Sequence, residues 1–270
     1  MTYAEKLTAA TASRGRLCVG IDPMPSVLAA WGLPHSVDGL ERCARGIVEG
    51  IGDIVAVFKP QSAFFEAFGS KGVAVLERVL EDISEAGALS ILDVKRGDIG
   101  SSMGGYATAF LGDDAPTRAD AITLSPYLGV GSLQPAIDAA VAGGQGLYVL
   151  ARTSNPEGAA VQLATTGGVT VAQHVVDTIA ALNPSADHAV GLVVGGTHGD
   201  SGCDLSNFNA SILVPGLGAQ GGTVAGIAEL FGQSLKHVLP TTSRGVIGSG
   251  HDKLREKTTT LQSEIASLLN

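Results

Sequence analysis

The chain has 270 residues, of which 45% are hydrophobic and only 4% aromatic, and its formal net charge is −9. An acidic chain without a block of basic residues argues against nucleic acid and anionic membrane surfaces as partners, and no run of about 18 apolar residues offers a membrane span. The length fits one large barrel or two small domains, and the absence of a linker or low-complexity tract favours a single domain over 1–270.

The opening segment, "MTYAEKLTAATASRG", lacks the apolar stretch of a secretion signal, so a cytoplasmic location is expected. The cysteines Cys18, Cys43 and Cys203 are odd in number and far apart, as reduced thiols of such a protein would be. Short apolar runs then follow in order: 16–22, 54–60, 88–95, 121–126, 146–153, 189–196, 211–217 and 236–242. Each reads as continuously apolar, the pattern of strands covered on both faces in a parallel sheet. Between them, 37–52, 71–87, 133–144 and 168–183 repeat apolar residues at three- and four-residue spacing, as helix faces do. The final segment from His251 reads as a closing amphipathic helix. Eight strands alternating with helices predict a (β/α)8 barrel, with a doubly wound open sheet as the competing architecture.

Both architectures bind ligands beyond the carboxyl ends of their strands. Polar residues stand at those ends: Asp22 ends the first run, Lys59 lies in the second, and Asp93 and Lys95 lie in the third with Asp98 just after it. The fifth ends in Arg152, Thr153, Ser154 and Asn155, while Gln220 follows the seventh and Arg244 the eighth. In "ILDVKRGDIG" (91–100), four charges fall within six positions at the end of an apolar run. Residues two apart on a strand share a face, so Asp93 and Lys95 point together into the barrel mouth while Arg96 points to the surrounding helices. A buried ion pair is a poor stabiliser, which favours chemistry as the reason for this one. The histidines show no metal-ligand spacing.

"PGLGAQGG" (215–222) and "SRGVIGSG" (243–250) are glycine-rich loops after the last two strands. Phosphate commonly binds there in (β/α)8 barrels. Arg244 offers a forked cation, and a helix starting near Gly250 would add its N-terminal dipole. The glycines of the first loop suit it to act as a lid.

These residues resemble the orotidine 5′-phosphate decarboxylase family, in its longer bacterial branch. Asp-x-Lys-x-x-Asp-Ile reads here as Asp93, Lys95, Asp98 and Ile99. "GIDP" (20–23), "FKPQSAFFE" (58–66), "ARTSNP" (151–156), "VPGLGAQGG" (214–222) and "SRGVIGS" (243–249) follow in the family's order. The resemblance implies a dimeric (β/α)8 barrel that converts orotidine 5′-monophosphate to UMP and CO2 without metal or organic cofactor. Asp22 and Lys59 would hold the ribose, and Asp93, Lys95 and Asp98 would form the catalytic network. Asp98 and Ser102 would come from the partner subunit. Gly100 and Ser102 stand where the shorter branch usually has Pro and Thr. Ser154 would meet the pyrimidine, Gln220 would bridge base and phosphate, and Arg244 would grip the phosphate.

Losing CO2 from C6 of the pyrimidine leaves a vinyl-type carbanion with no adjacent carbonyl to accept its electrons. Protein charges must then stabilise it, and Lys95 would supply the proton to C6. On the same scaffold, a Mg²⁺-dependent sugar-phosphate decarboxylase, a Schiff-base aldolase using Lys95, or a phosphosugar- or nucleotide-binding regulator are the alternative readings.

Overall fold

In the computed structural model, which describes residues 1–269, eight parallel strands close on themselves. They are β1 Cys18–Ile21, β2 Val57–Pro60, β3 Leu89–Arg96, β4 Ala121–Leu124, β5 Gly146–Arg152, β6 Val190–Val194, β7 Ile212–Pro215 and β8 Val238–Thr242. Each pairs with its neighbours in sequence, and β1 closes the ring on β8 through Cys18↔Thr241 and Val19↔Thr242. The expected (β/α)8 barrel is thus the architecture, and the open-sheet alternative falls. All eight expected strands are present, most of them shorter at their ends than the apolar runs suggested.

Twelve α-helices surround and cap the ring: α1 Tyr3–Arg14, α2 Pro25–Ala30, α3 Val37–Ile51, α4 Ser62–Glu66, α5 Gly69–Glu85, α6 Gly100–Phe110, α7 Gln134–Gly143, α8 Ala159–Gln162, α9 Val171–Leu182, α10 Val224–Phe231, α11 Arg244–Ile247 and α12 Leu254–Leu269. Helix α3 shows why they form. The Ser36 side chain accepts from the Gly39 N–H to cap its start, and Leu40, Cys43, Ala44, Ile47, Val48 and Ile51 make one buried stripe. Its outer face is tied to α5 by ion pairs of Glu41 with Arg78 and Arg45 with Asp82.

Two differences from the expected elements have local causes. The predicted helix over 168–183 starts only at Val171, because Gly167 and Gly168, with φ of 59° and 88°, turn a short hairpin that pairs Thr165–Thr166 with Val169–Thr170. Helix α1, not expected from the sequence, is fixed by a capping box between Thr2 and Glu5 and closes the amino-terminal end of the barrel.

Alternation along the strands separates two apolar cores. Outward-facing residues such as Val19, Phe58, Leu92, Ile122 and Val149 pack under the helices. Inward-facing Cys18, Val57, Ile91, Ala121, Tyr148, Val193, Leu213 and Leu239 fill the lower barrel with Tyr3 of α1. Tyr148 fits because its neighbour on β6 is Gly191, where a Cβ would lie 2.8 Å from the Tyr148 ring. The thiols of Cys18 and Cys43 are buried, and burial pushes both up to about 12.

Candidate active site

Two residues beyond that apolar layer, the same inward faces carry Lys59 on β2, Asp93 on β3 and Thr123 on β4. The lower barrel is therefore dry packing and the upper barrel a charged floor. Lys59 and Asp93 are each only 7% exposed. Lys59 Nζ lies 3.1 Å from Asp93 Oδ2, and Lys95 Nζ lies 2.7 Å from Oδ1. Gln61 Nε2 donates to Oδ2 at 2.8 Å, and Thr123 Oγ1 donates to Oδ1 at 2.8 Å. Burial would raise the Asp93 carboxyl, but the Lys59 and Lys95 charges and the Lys95 and Thr123 hydrogen bonds overcome it and hold the group well below the usual carboxylate range. Burial would likewise lower Lys59, but the charges of Asp93 and Asp22 keep its ammonium form favoured beyond the ordinary value. The result is a fixed carboxylate between two cations.

Lys95 reaches this position by an irregular route. The β3–β4 register shifts between Leu92 and Arg96, and Lys95 has φ of 45°, the left-handed region that non-glycine residues avoid. Its N–H donates to Thr123 Oγ1 at 2.9 Å, so one hydroxyl holds both the bulged backbone and the Asp93 carboxylate. The shared face of Asp93 and Lys95 is thus correct, though a bulge rather than regular pleating produces it. Arg96 turns outward as expected, pairing with Glu66 of α4 at 2.5 Å and lying 5.7 Å from the Tyr106 ring centre.

Beside this array opens a cavity of about 460 Å³ lined in part by Asp22, Gln61, Asp93 and Lys95. Asp22 Oδ1 and Ser243 Oγ are both buried without a hydrogen-bond partner. Gly20 leaves room for them, since a Cβ there would stand 2.9 Å from Ser243 Cβ and 3.3 Å from Asp22 Oδ1. Asp22 lines that cavity, and an unsatisfied carboxylate oxygen there matches the needs of a ligand hydroxyl. A larger groove, about 1000 Å³, lies over the outer helices, but several of its charged side chains already pair with one another.

The two glycine-rich loops meet across the opposite rim. A Cβ on Gly218 would come within 3.7 Å of Gly245 Cα, and the loop at 216–222 folds on itself through Gly218 N–H to Gly222 O and Gly222 N–H to Gly216 O. Ser154 Oγ donates to Gln220 Oε1 at 3.1 Å, which joins the loop after β5 to the loop after β7. Arg244 is exposed at the first position of α11. The helix expected near Gly250 does begin there: Gly250 caps a 3-10 turn, His251–Lys253, that runs directly into α12, while α11 at Arg244 is a separate short helix before it.

Asp98 and Ser102 are not brought to Lys95 within this chain. Asp98 Oδ1 accepts from the Ile99 N–H, and Ser102 is exposed on α6. Sequence reasoning missed Gln61, Thr123 and Ser243. Counting two residues along each strand from its apolar inward position would have found Thr123; Gln61 is the next inward position after Lys59. Ser243 carries no comparable signal. Among the described residues, no group of three or more His, Cys, Asp or Glu side chains is placed to hold a metal ion, and no helix is long and apolar enough to cross a membrane.

The comparisons agree with one another. The chain is 56% identical over 254 residues to the orotidine 5′-phosphate decarboxylase of Salinispora arenicola, covering 93% of this chain and 91% of that protein. It is 52% identical over 256 residues to that of Streptomyces coelicolor, with 93% and 91% covered. Its fold superposes on the crystal structure of a Streptomyces avermitilis protein with a TM-score of 0.92 at 48% identity, covering 99% of this chain and 96% of the other. The Leishmania donovani OMP decarboxylase gives 0.81 at 28% identity, with 99% and 98% covered. The profile of the orotidine 5′-phosphate decarboxylase / HUMPS family matches residues 15–256, and the chain belongs to that family.

Proposed function

We propose that the protein decarboxylates orotidine 5′-monophosphate to UMP and CO2, completing UMP synthesis without a metal or organic cofactor. The observation that carries this reading is the Lys59–Asp93–Lys95 array at the floor of the barrel mouth. The identity to decarboxylases over nearly the whole chain supports the same activity.

In this reading the C6–carboxyl bond breaks, CO2 leaves, and the bonding electrons stay on C6. Lys95 stands as an ammonium, stabilises that charge, and transfers one proton to C6. The lysine, left neutral, regains its proton from solvent. Asp93 keeps its charge throughout and aims Lys95, while Lys59 holds Asp93 and a ribose hydroxyl. Asp22 and Ser243 complete the ribose corner. Ser154 meets the pyrimidine, Gln220 links base to phosphate, and Arg244 holds the phosphate. Phosphate binding far from C6 then contributes at the reacting centre by fixing the loops.

Both Asp93 oxygens are already engaged by cations and donors, which disfavours a divalent ion there. A second copy of the chain, in the cytoplasm, would supply Asp98 and Ser102. Exposed Ile99, Tyr127 and Leu128, at 63%, 81% and 52%, offer that copy an apolar face beside the site. The single-domain reading over 1–270 belongs to the same proposal.

Loss of orotidine 5′-monophosphate ultraviolet absorbance tests the reading. Wild type should turn over equally with and without EDTA. Lys95→Ala should lose about 10⁴-fold or more in kcat, combining a lost general acid with a lost charge. No turnover by folded wild type would sink the assignment, and EDTA inhibition would sink the metal-free mechanism.

A further inference from the structure

The residue before Ser154 is held more completely than a loop residue needs to be. Thr153 N–H donates to Gln162 Oε1 at 3.0 Å, and Gln162 Nε2 donates to Thr153 Oγ1 at 2.8 Å. Thr153 O accepts from Arg152 Nη1 at 3.1 Å and from the His198 ring Nε2 at 2.8 Å. Arg152 Nη1 also donates to Gln162 Oε1 at 3.1 Å. Every polar group of Thr153 is therefore fixed.

Helix α8, which carries Gln162, buries none of its residues, so hydrophobic packing does not explain its place. Gly158 lets it approach, since a Cβ there would lie 2.8 Å from Thr153 Oγ1 and 2.9 Å from Gln162 Oε1. Arg152 is 6% exposed, and its Nε has no partner. Burying a guanidinium is costly, so this one calls for a role beyond stability. On the far side, a Cβ on Gly195 would lie 2.8 Å from Ser154 Cα, so the backbone of Ser154 is confined there too. From this assembly Ser154 Oγ donates to Gln220 Oε1 at 3.1 Å, and Thr153 Oγ1 donates to Asn155 Oδ1 at 2.6 Å.

We infer that Gln162 and Arg152 are positioning residues. They lock the Thr153 peptide and thereby aim the Ser154 hydroxyl at the pyrimidine and at Gln220. The inference rests on Ser154 contacting the substrate base, as proposed above.

A double-mutant cycle on kcat/KM tests it, with Gln162→Leu, Ser154→Ala and the double variant. Gln162→Leu should lose about ten-fold alone and less than about two-fold in the Ser154→Ala background, because it acts through Ser154. Gln162→Glu keeps the acceptor for Thr153 N–H and Arg152, and should restore most of the loss. Thermal midpoints are measured alongside, and amide exchange at Thr153 and Ser154 should accelerate in Gln162→Leu whether or not turnover is measured. Independent, multiplying losses would overturn the inference, as would full activity or unchanged exchange in Gln162→Leu. Absent turnover in wild type would instead strike the decarboxylase reading, leaving the exchange result to judge the clamp.

Discussion

Asp93 makes one carboxylate serve two lysines, and its environment sets a definite dependence on pH. Its folded-state affinity for protons is below that of an unfolded aspartate, which titrates near about 3.9. Its contribution to stability is therefore complete above that value and is lost as pH falls through the depressed folded pKa. Lys59 is shifted upward, so its contribution is present below about 10.4 and is lost only as pH rises through the still higher folded value. Between those limits the pair leaves stability nearly independent of pH. Replacing Asp93 by Asn strands Lys59 in a buried site. Urea unfolding at pH 7 should show a loss of about 3 kcal/mol, and the gap to wild type should narrow below about pH 4. A gap that persists unchanged at pH 3 would mean the pair does not couple to folding. The array itself was legible in the sequence because Lys59, Asp93 and Lys95 stand at strand ends, where alternation turns Lys59 and Asp93 inward. The left-handed backbone of Lys95 was not, since no residue pattern marks a bulge there. Nor was Gln162, whose role arises from a helix that folds back over Thr153 with no apolar periodicity to announce it.

At the scale of elements, the barrel strands were readable because burial on both faces leaves continuous apolar runs of strand length. Helices with strong apolar stripes, such as α3 and α5, were readable for the equivalent reason. Helix α6 was not: Gly100, Gly104 and Gly105 weaken its helical signal, and only Met103 and Ala107 are buried along it. The hairpin at 165–170 was hidden inside a helix-like stretch because two glycines set its turn while the residues around them resemble a helix start. Packing inside the barrel makes its own demand on β6. Gly191→Ala would place a methyl 2.5 Å from Ser211 O and 2.8 Å from the Tyr148 ring, both in the barrel interior or its wall. We expect a loss of about 1–3 kcal/mol in urea unfolding, with KM for the substrate nearly unchanged in the remaining folded enzyme, since Tyr148 lies below the charged floor. A wild-type unfolding midpoint would show that the lower barrel repacks freely.

For the whole molecule, the position of Asp98 and Ser102 outside their own site makes the number of chains a functional question. If the site is shared, Lys95→Ala and Asp98→Ala subunits, each inactive alone, should recover about a quarter of the wild-type activity per site after mixing and exchange. That fraction follows because half the dimers are hybrids, and each hybrid has one intact site of two. Confirmed exchange without recovery would place both residues in one chain's site. The ring closure between β1 and β8 carries a different consequence. Lys59 lies on β2 and Asp93 and Lys95 on β3, whereas Ser154, Gln220 and Arg244 follow β5, β7 and β8. A fragment ending before residue 200 would hold the complete reactive array and lack Gln220 and Arg244, the groups assigned to the phosphate. In the proposed mechanism, reactivity and grip thus come from distant stretches of the chain. On the mechanism proposed above, the seam where the first strand meets the last, two residue pairs long, makes chemical competence a property of the finished ring.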